Sequence, residues 1–349
     1  MVEASGKGGR VILTNIDGVA AIARLRGDQV IDAAPNRFAF FMQCCWADLV
    51  IIDNDHWRIY LAALLRPWLR FGLISVDLIL RQPLTSRERA LARLKALALA
   101  QVDKFILYFK NAAGYQRYYR IEPERIVYVP FKPNGKDNLL WPETVPDGDY
   151  VLCAGRTMRD VDTFVKAMTV AGCPAILLQQ PADIMQEHGT EDWRDELPPN
   201  IKLVIHEDGK FETFLSFIAS AKLVVIPRYI RDIGCTGIST YLMAMALGKC
   251  VVISQGPGVD DLLTEEAAIV PAEDVAVLAA TVSRLWNGDS ERSQIAACGK
   301  RYADSLGNTA RLCGDIFAQS VLCLGREKGF QPTKKAKPGC VDVGQPARR

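Results

Sequence analysis

The chain has 349 residues, 49% of them hydrophobic, which is enough for two domains with full cores. Its 42 basic and 40 acidic residues leave a net charge of +2, which argues against a nucleic-acid binder. Ten cysteines without a Cys-x-x-Cys pair, several inside apolar runs such as those of Cys153 and Cys250, argue against a disulfide framework and for a reducing, cytoplasmic setting.

The first half alternates short apolar runs with helical periodicity. Strands are expected at Arg10–Thr14, Asp48–Asp53, Phe71–Val76, Lys104–Phe109 and Arg125–Pro130. Helices are expected at Asn36–Cys45, Arg58–Leu65 and Ser86–Gln101, the last with Ser86 as its cap and Ala and Leu recurring at helical spacing. The apolar stretch Ile59–Leu80 is broken by Arg66, Pro67, Arg70 and Asp77, so it does not read as a spanning helix, and no signal peptide is recognised. A segment rich in Pro, Gly, Asn and Asp over 132–149 has no periodicity and reads as a linker.

The alternation then restarts. Strands are expected at Tyr150–Ala154, Ala175–Gln179, Lys202–His206, Leu223–Pro227, Cys250–Ser254 and Ala268–Val270. Helices are expected at Asp160–Ala171, Glu212–Ala219, Ser239–Leu247, Val275–Asn287 and Ser290–Leu306. A final helix is expected near Arg311–Leu322. β-rich runs separated by helices imply parallel sheets covered on both faces. The division predicted is 1–149 and 150–324 as two Rossmann-like domains, with 325–349 as a flexible basic tail. The tail's lysines could touch anionic lipid, which leaves a peripheral place on the inner membrane face open.

Two such domains leave a cleft at the carboxyl ends of their strands. Three segments of the second half should converge there: Gly155–Arg159, Pro227–Asp232 and Thr236–Thr240. Backbone N–H groups at a helix start, with Ser239 and Thr240 hydroxyls, suit a phosphate. Arg156, Arg159 and Arg228 add guanidinium groups that stay charged and bind phosphate bidentately. In the first half, Asp17 follows a glycine-poor loop, Asp53-Asn-Asp55-His56 follows a strand, and Asp77 ends another. Asp53 and Asp55 could hold a divalent ion, but the half without phosphate motifs is a poor place for it, and no metal site is expected. His188 and His206 are spaced unlike metal ligands and are expected at the surface.

Four segments, "CAGRTMRDVDTFVKAM" at 153–168, "AKLVVIPR" at 221–228, "GISTYLMAMALGKCVVIS" at 237–254 and the stretch 258–299, resemble in order the donor-binding half of GT-B glycosyltransferases, nearest to family 4. The resemblance implies the GT-B fold, with an acceptor domain followed by a donor domain and a final helix, near Arg311–Leu322, that packs back on the first. It implies hexosyl transfer from a nucleotide-diphosphate sugar, with the anomeric configuration retained and neither metal nor resident cofactor. Arg156 and Arg159 would then be catalytic. Gly155, Arg228, Thr236, Gly237, Ile238, Ser239 and Thr240 would bind the donor, and Asp17, Asp53, His56 and Asp77 would line the acceptor side. The acceptor would be a saccharide, a lipid-linked sugar or a small molecule. One departure is plain. The two glutamates that such proteins carry with seven residues between them are replaced by Cys235 and Met243. Two rival readings therefore stand: a sugar-nucleotide epimerase of the same fold, and a non-catalytic nucleotide-binding or scaffold protein.

Overall fold

The structure, a computed structural model, describes residues 9–133, 148–190, 193 and 196–325. The first domain runs β1 (Val11–Thr14), α1 (Asp17–Leu25), β2 (Gln29–Asp32), α2 (Arg37–Cys44), β3 (Leu49–Asp53), α3 (His56–Leu65), β4 (Gly72–Val76), α4 (Ser86–Leu99), β5 (Lys104–Leu107), α5 (Ala113–Tyr119) and β6 (Ile126–Tyr128). Its strands form one parallel sheet in the order β2-β1-β3-β4-β5-β6. The second domain runs β7 (Val151–Ala154), α6 (Val161–Ala171), β8 (Ala175–Gln179), α7 (Ala182–Glu187), β9 (Ile201–Ile205), α8 (Phe211–Ala219), β10 (Leu223–Ile226), α9 (Ile238–Ala246), β11 (Cys250–Ser254), β12 (Ala268–Val270), α10 (Val275–Asn287) and α11 (Asp289–Leu306). Its sheet is also parallel, ordered β12-β11-β10-β7-β8-β9. These are two separate Rossmann-like sheets, the GT-B architecture.

The central strands are buried on both faces, which is why Val, Ile and Leu run through them without alternation: β4, β10 and β11 are buried throughout. One apolar cluster starts in the first sheet and continues across the base of the cleft into the inner face of the second. Another fills the outer face of the second domain. Helix α12 (Thr309–Gly325) returns to the first domain and packs on α1, β4 and β5, as the resemblance led us to expect. Lys132 reaches Asp315 on it at 3.3 Å. The linker over 134–147 and the tail from 326 onward lie outside the described residues.

Several local expectations change. The cap of α4 is Thr85, not Ser86. Its hydroxyl accepts from Glu88 N, while the Glu88 carboxylate accepts from Thr85 N, and only Thr85 has an acid three residues on to complete this box. Asp17-Gly18 is the start of α1 rather than a loop. Gly18 is small because α12 lies against it: a Cβ there would sit 2.4 Å from Cys313 Sγ. The short elements β2, α5 and α7 are additions that the apolar periodicity did not reveal.

Candidate functional site

In a doubly wound sheet the crevice lies where successive connections leave in opposite directions. That point falls between β1 and β3 in the first sheet and between β7 and β10 in the second. The loops that leave β3 and β7, with the start of α9 beyond β10, meet around a cavity of about 520 Å³. Asp53, Asn54, Asp77, Ile79, Tyr108 and Phe131 form one wall. Gly155–Thr157, Arg159 and Gly234–Thr240 form the other, and His206, Lys210, Phe211 and Phe214 close one end.

The second-domain wall is built around Arg159. This side chain is 2% exposed. Its Nε donates to Ala154 O at 3.0 Å, its Nη1 to Thr157 O at 2.8 Å and its Nη2 to Thr240 Oγ1 at 3.3 Å. All three acceptors are neutral, and burial lowers the guanidinium pKa to about 10. It stays charged at neutral pH. Gly155 makes room for it, with φ at +106° and space for no Cβ, which would sit 2.5 Å from Arg159 Nη2. Helix α9 begins beside it at Gly237, and no side chain caps that end. Ile238 N donates back to Cys235 O at 3.1 Å, and Gly237, Ile238, Ser239 and Thr240 all line the cavity. Arg156 is exposed at the rim, 3.4 Å from Gln180 Oε1.

Arg228 was expected among these groups and does not line the cavity. It is 1% exposed and forked onto Asp232 Oδ2 at 3.0 and 2.7 Å, with further bonds to Pro257 O and Gly234 O. Thr236 also bonds Asp232 Oδ2. The pair braces the loop from β10 to α9 from beneath. A guanidinium so neutralised has little left to offer a ligand.

The first-domain wall carries two acids. Burial raises Asp53 to about 6. Asp77 is raised well above the ordinary range, by burial first and then by Asp53, with Cys235 working against the shift. Cys235 Sγ lies 3.8 Å from Asp77 Oδ1, across the cleft. Asn54 and Asp77 both hold left-handed backbone, at φ +37° and +44°, and such strain concentrates at functional sites. Asp55 has other tasks: it caps α3 and pairs with Arg58. Asp17 and His56 begin helices and do not line the cavity. His56 is an exposed residue, yet packing around its ring, then Lys95, lowers its pKa. Among the described residues, no three His, Cys, Asp or Glu side chains gather as a metal-binding group.

His206, expected at the surface, is buried at the end of the cavity, because its strand ends beneath Phe214, on which the ring stacks. Nε2 is 2.7 Å from Asp208 Oδ1 but off the line of a hydrogen bond, so neither ring nitrogen is bonded, and Gln179 Nε2 beside it is also unsatisfied. His188 is half-buried, and burial, followed by Arg156, lowers its pKa. The sequence signal for His206 was its place at the end of a strand of the second sheet, the same signal that found Arg156.

No family model matches the chain, and no curated protein matches it in sequence. Solved structures do share its fold. A glycosyltransferase from Rickettsia africae superposes with a TM-score of 0.64 at 11% identity, over 92% of this chain and 100% of that one. Anabaena HepE, in complex with UDP and glucose, gives 0.63 at 13% identity, over 90% and 99%. Sucrose-phosphate synthase from Thermosynechococcus elongatus gives 0.61 at 15% identity, over 91% and 99%. At these identities the likeness is one of fold, and it extends over both domains.

Proposed function

We propose that this protein is a glycosyltransferase that moves a hexose from a nucleotide-diphosphate sugar to an acceptor bound by the first domain. The observation that carries this reading is Arg159: a buried cation, held only by neutral oxygens, opening onto a cavity beside an uncapped helix start. A diphosphate would supply the missing negative charge. Its charge grows as the sugar departs, so fixed positive charge that is already in place lowers the barrier. Arg156 at the rim and the N–H groups at Gly237–Thr240 would share the load, with no metal ion and no resident cofactor. Gln179 and His206, unsatisfied at the far end, suit the polar edge of a base, and Phe211 and Phe214 suit its faces. A UDP-bound neighbour with this fold supports the class of donor. The resemblance favours retained configuration.

Cys235 stands where related proteins carry the first of their two glutamates. It touches Asp77, so the carboxylate of the opposite wall would stand in for that glutamate beside the donor. Asp53 and Asp77 in one cavity also favour a second reading, a sugar-nucleotide epimerase, which needs an acid and a base there.

Calorimetric titration with nucleoside diphosphates, followed by assays of nucleotide release from a panel of donors, tests both. Transfer requires nucleotide release that increases with acceptor. Epimerisation alters the sugar with the donor alone and no acceptor. Absence of nucleotide binding would remove both readings. Loss of activity with a chelator and recovery with manganese would overturn the metal-free mechanism. Asp77→Asn should abolish turnover while leaving nucleotide affinity intact, and Cys235→Glu in that background should restore part of it.

A further inference from the structure

Helix α4 spends its large and small side chains in the reverse of the usual way. It buries Ala92, Ala96 and Leu99 against the domain and exposes Leu91 (49%), Leu94 (64%) and Leu97 (69%). At 3.6 residues per turn, the three exposed leucines fall within an arc of about 120°, opposite the buried face. A helix that only had to cover its sheet would turn these leucines inward. The same layer continues this character: α3 packs beside α4, Leu64 on it is 59% exposed, and Trp68 just past its end is 77% exposed.

The ridge is bordered by cations. Arg87 lies within the leucine arc, Arg93 at one edge and Lys95 at the other, where it also sits 5.9 Å from the Tyr60 ring. Arg87 and Arg93 form no ion pair among the described residues. The one acid of the helix, Glu88, is occupied in the N-terminal capping box. We propose that α4 is a docking surface for an anionic lipid membrane. Its leucines and Trp68 would enter the boundary between headgroups and acyl chains, and its cations would face the lipid phosphates. An apolar ridge edged with Arg and Lys on a helix lying in the plane of the interface is the arrangement that such binding needs. Pairing with a second copy of the chain fits less well, because it would set the arginines of one copy against those of the other. Among the described residues no helix is long and apolar enough to cross a membrane, so the contact would be peripheral. The proposal does not depend on what the cleft transfers.

Flotation of the full-length protein with phosphatidylcholine vesicles, with and without phosphatidylglycerol, tests it. The protein should float with the anionic vesicles, stay behind with the neutral ones and come off as salt rises. Leu94→Glu with Leu97→Glu should lower the partition coefficient by about a hundredfold or more, since each buried leucine is worth about tenfold or more. Circular dichroism and melting should not change, because both leucines already face solvent. Replacing Lys334, Lys335 and Lys337 of the tail with Gln should leave binding in place. The proposal is overturned if neither kind of vesicle is bound or if neutral vesicles bind equally well. It is also overturned if the tail substitutions abolish binding while the leucine substitutions do not. A dimer in solution that the leucine substitutions dissociate, with no vesicle binding, would assign the ridge to self-association instead.

Discussion

The two walls of the cleft occupy the same topological place and carry opposite chemistry. Each is built from loops at the point where its sheet reverses winding. The wall of the second sheet presents Arg159, Arg156 and a helix start. The wall of the first presents Asp53 and Asp77. Topology therefore decides where side chains converge, and their identity decides what the place can hold. One wall is cationic, and the other carries buried carboxyl groups.

The comparison can be broken first beneath the cationic wall. Arg228→Ala leaves Asp232 buried without its partner and should cost about 3–5 kcal/mol of stability, read by urea unfolding. A change of less than about 1 kcal/mol would mean that Arg228 does not brace the wall. Arg159→Ala should lower kcat/KM by about a hundredfold to a thousandfold, the usual cost of one donor at a developing charge. Lysine should restore only part of this, since it keeps the charge and loses the fork. Because Arg159 ties Ala154 and Thr157 of its own segment to Thr240 on α9, some loss of melting temperature should accompany it. Nucleotide affinity and turnover both unchanged would remove Arg159 from the site.

On the acidic wall the sign is set by Asp53, raised from 3.8 to about 6. Between those values the folded protein holds a proton that the unfolded chain has lost, so stability falls as pH rises through that window. Asp53→Asn should therefore gain on the order of 1–3 kcal/mol at neutral pH relative to its effect in acid, measured by denaturation at both. Equal effects at the two pH values would show that the carboxyl group is not strained in the fold. The smallest change is expected at the rim, where Arg156→Ala should weaken nucleoside diphosphate binding by up to about fivefold, because its charge is exposed and screened. A loss as large as that for Arg159 would make the two arginines equal partners.

The sheets were legible because β-branched runs such as Cys250–Ser254 have few other uses, and the start of α9 was legible because Gly237 precedes a long apolar helix. Short elements such as β2 and α7 carry too few residues for a period to emerge. Arg156, Arg159 and Arg228 looked alike in sequence, each just past a strand. What separates them is whether a carboxylate stands nearby, and the loop that brings Asp232 under Arg228 has no periodic signature. In α4 the repeat of Ala and Leu correctly marked a helix but not its orientation, since two apolar faces of different bulk give the same pattern.

The return of α12 to the first domain means that the chain passes between the domains twice, once between Tyr128 and Val151 and again between Leu306 and Thr309. A chain that crosses twice restrains its two domains more than one that crosses once. The second crossing runs through Gly307, at φ +89° and ψ −147°, backbone that only glycine adopts readily. If the cleft closes on its ligands, Gly307 is where this crossing should take up the change. Stiffening Gly307 should then slow opening and closing without touching any group in the site.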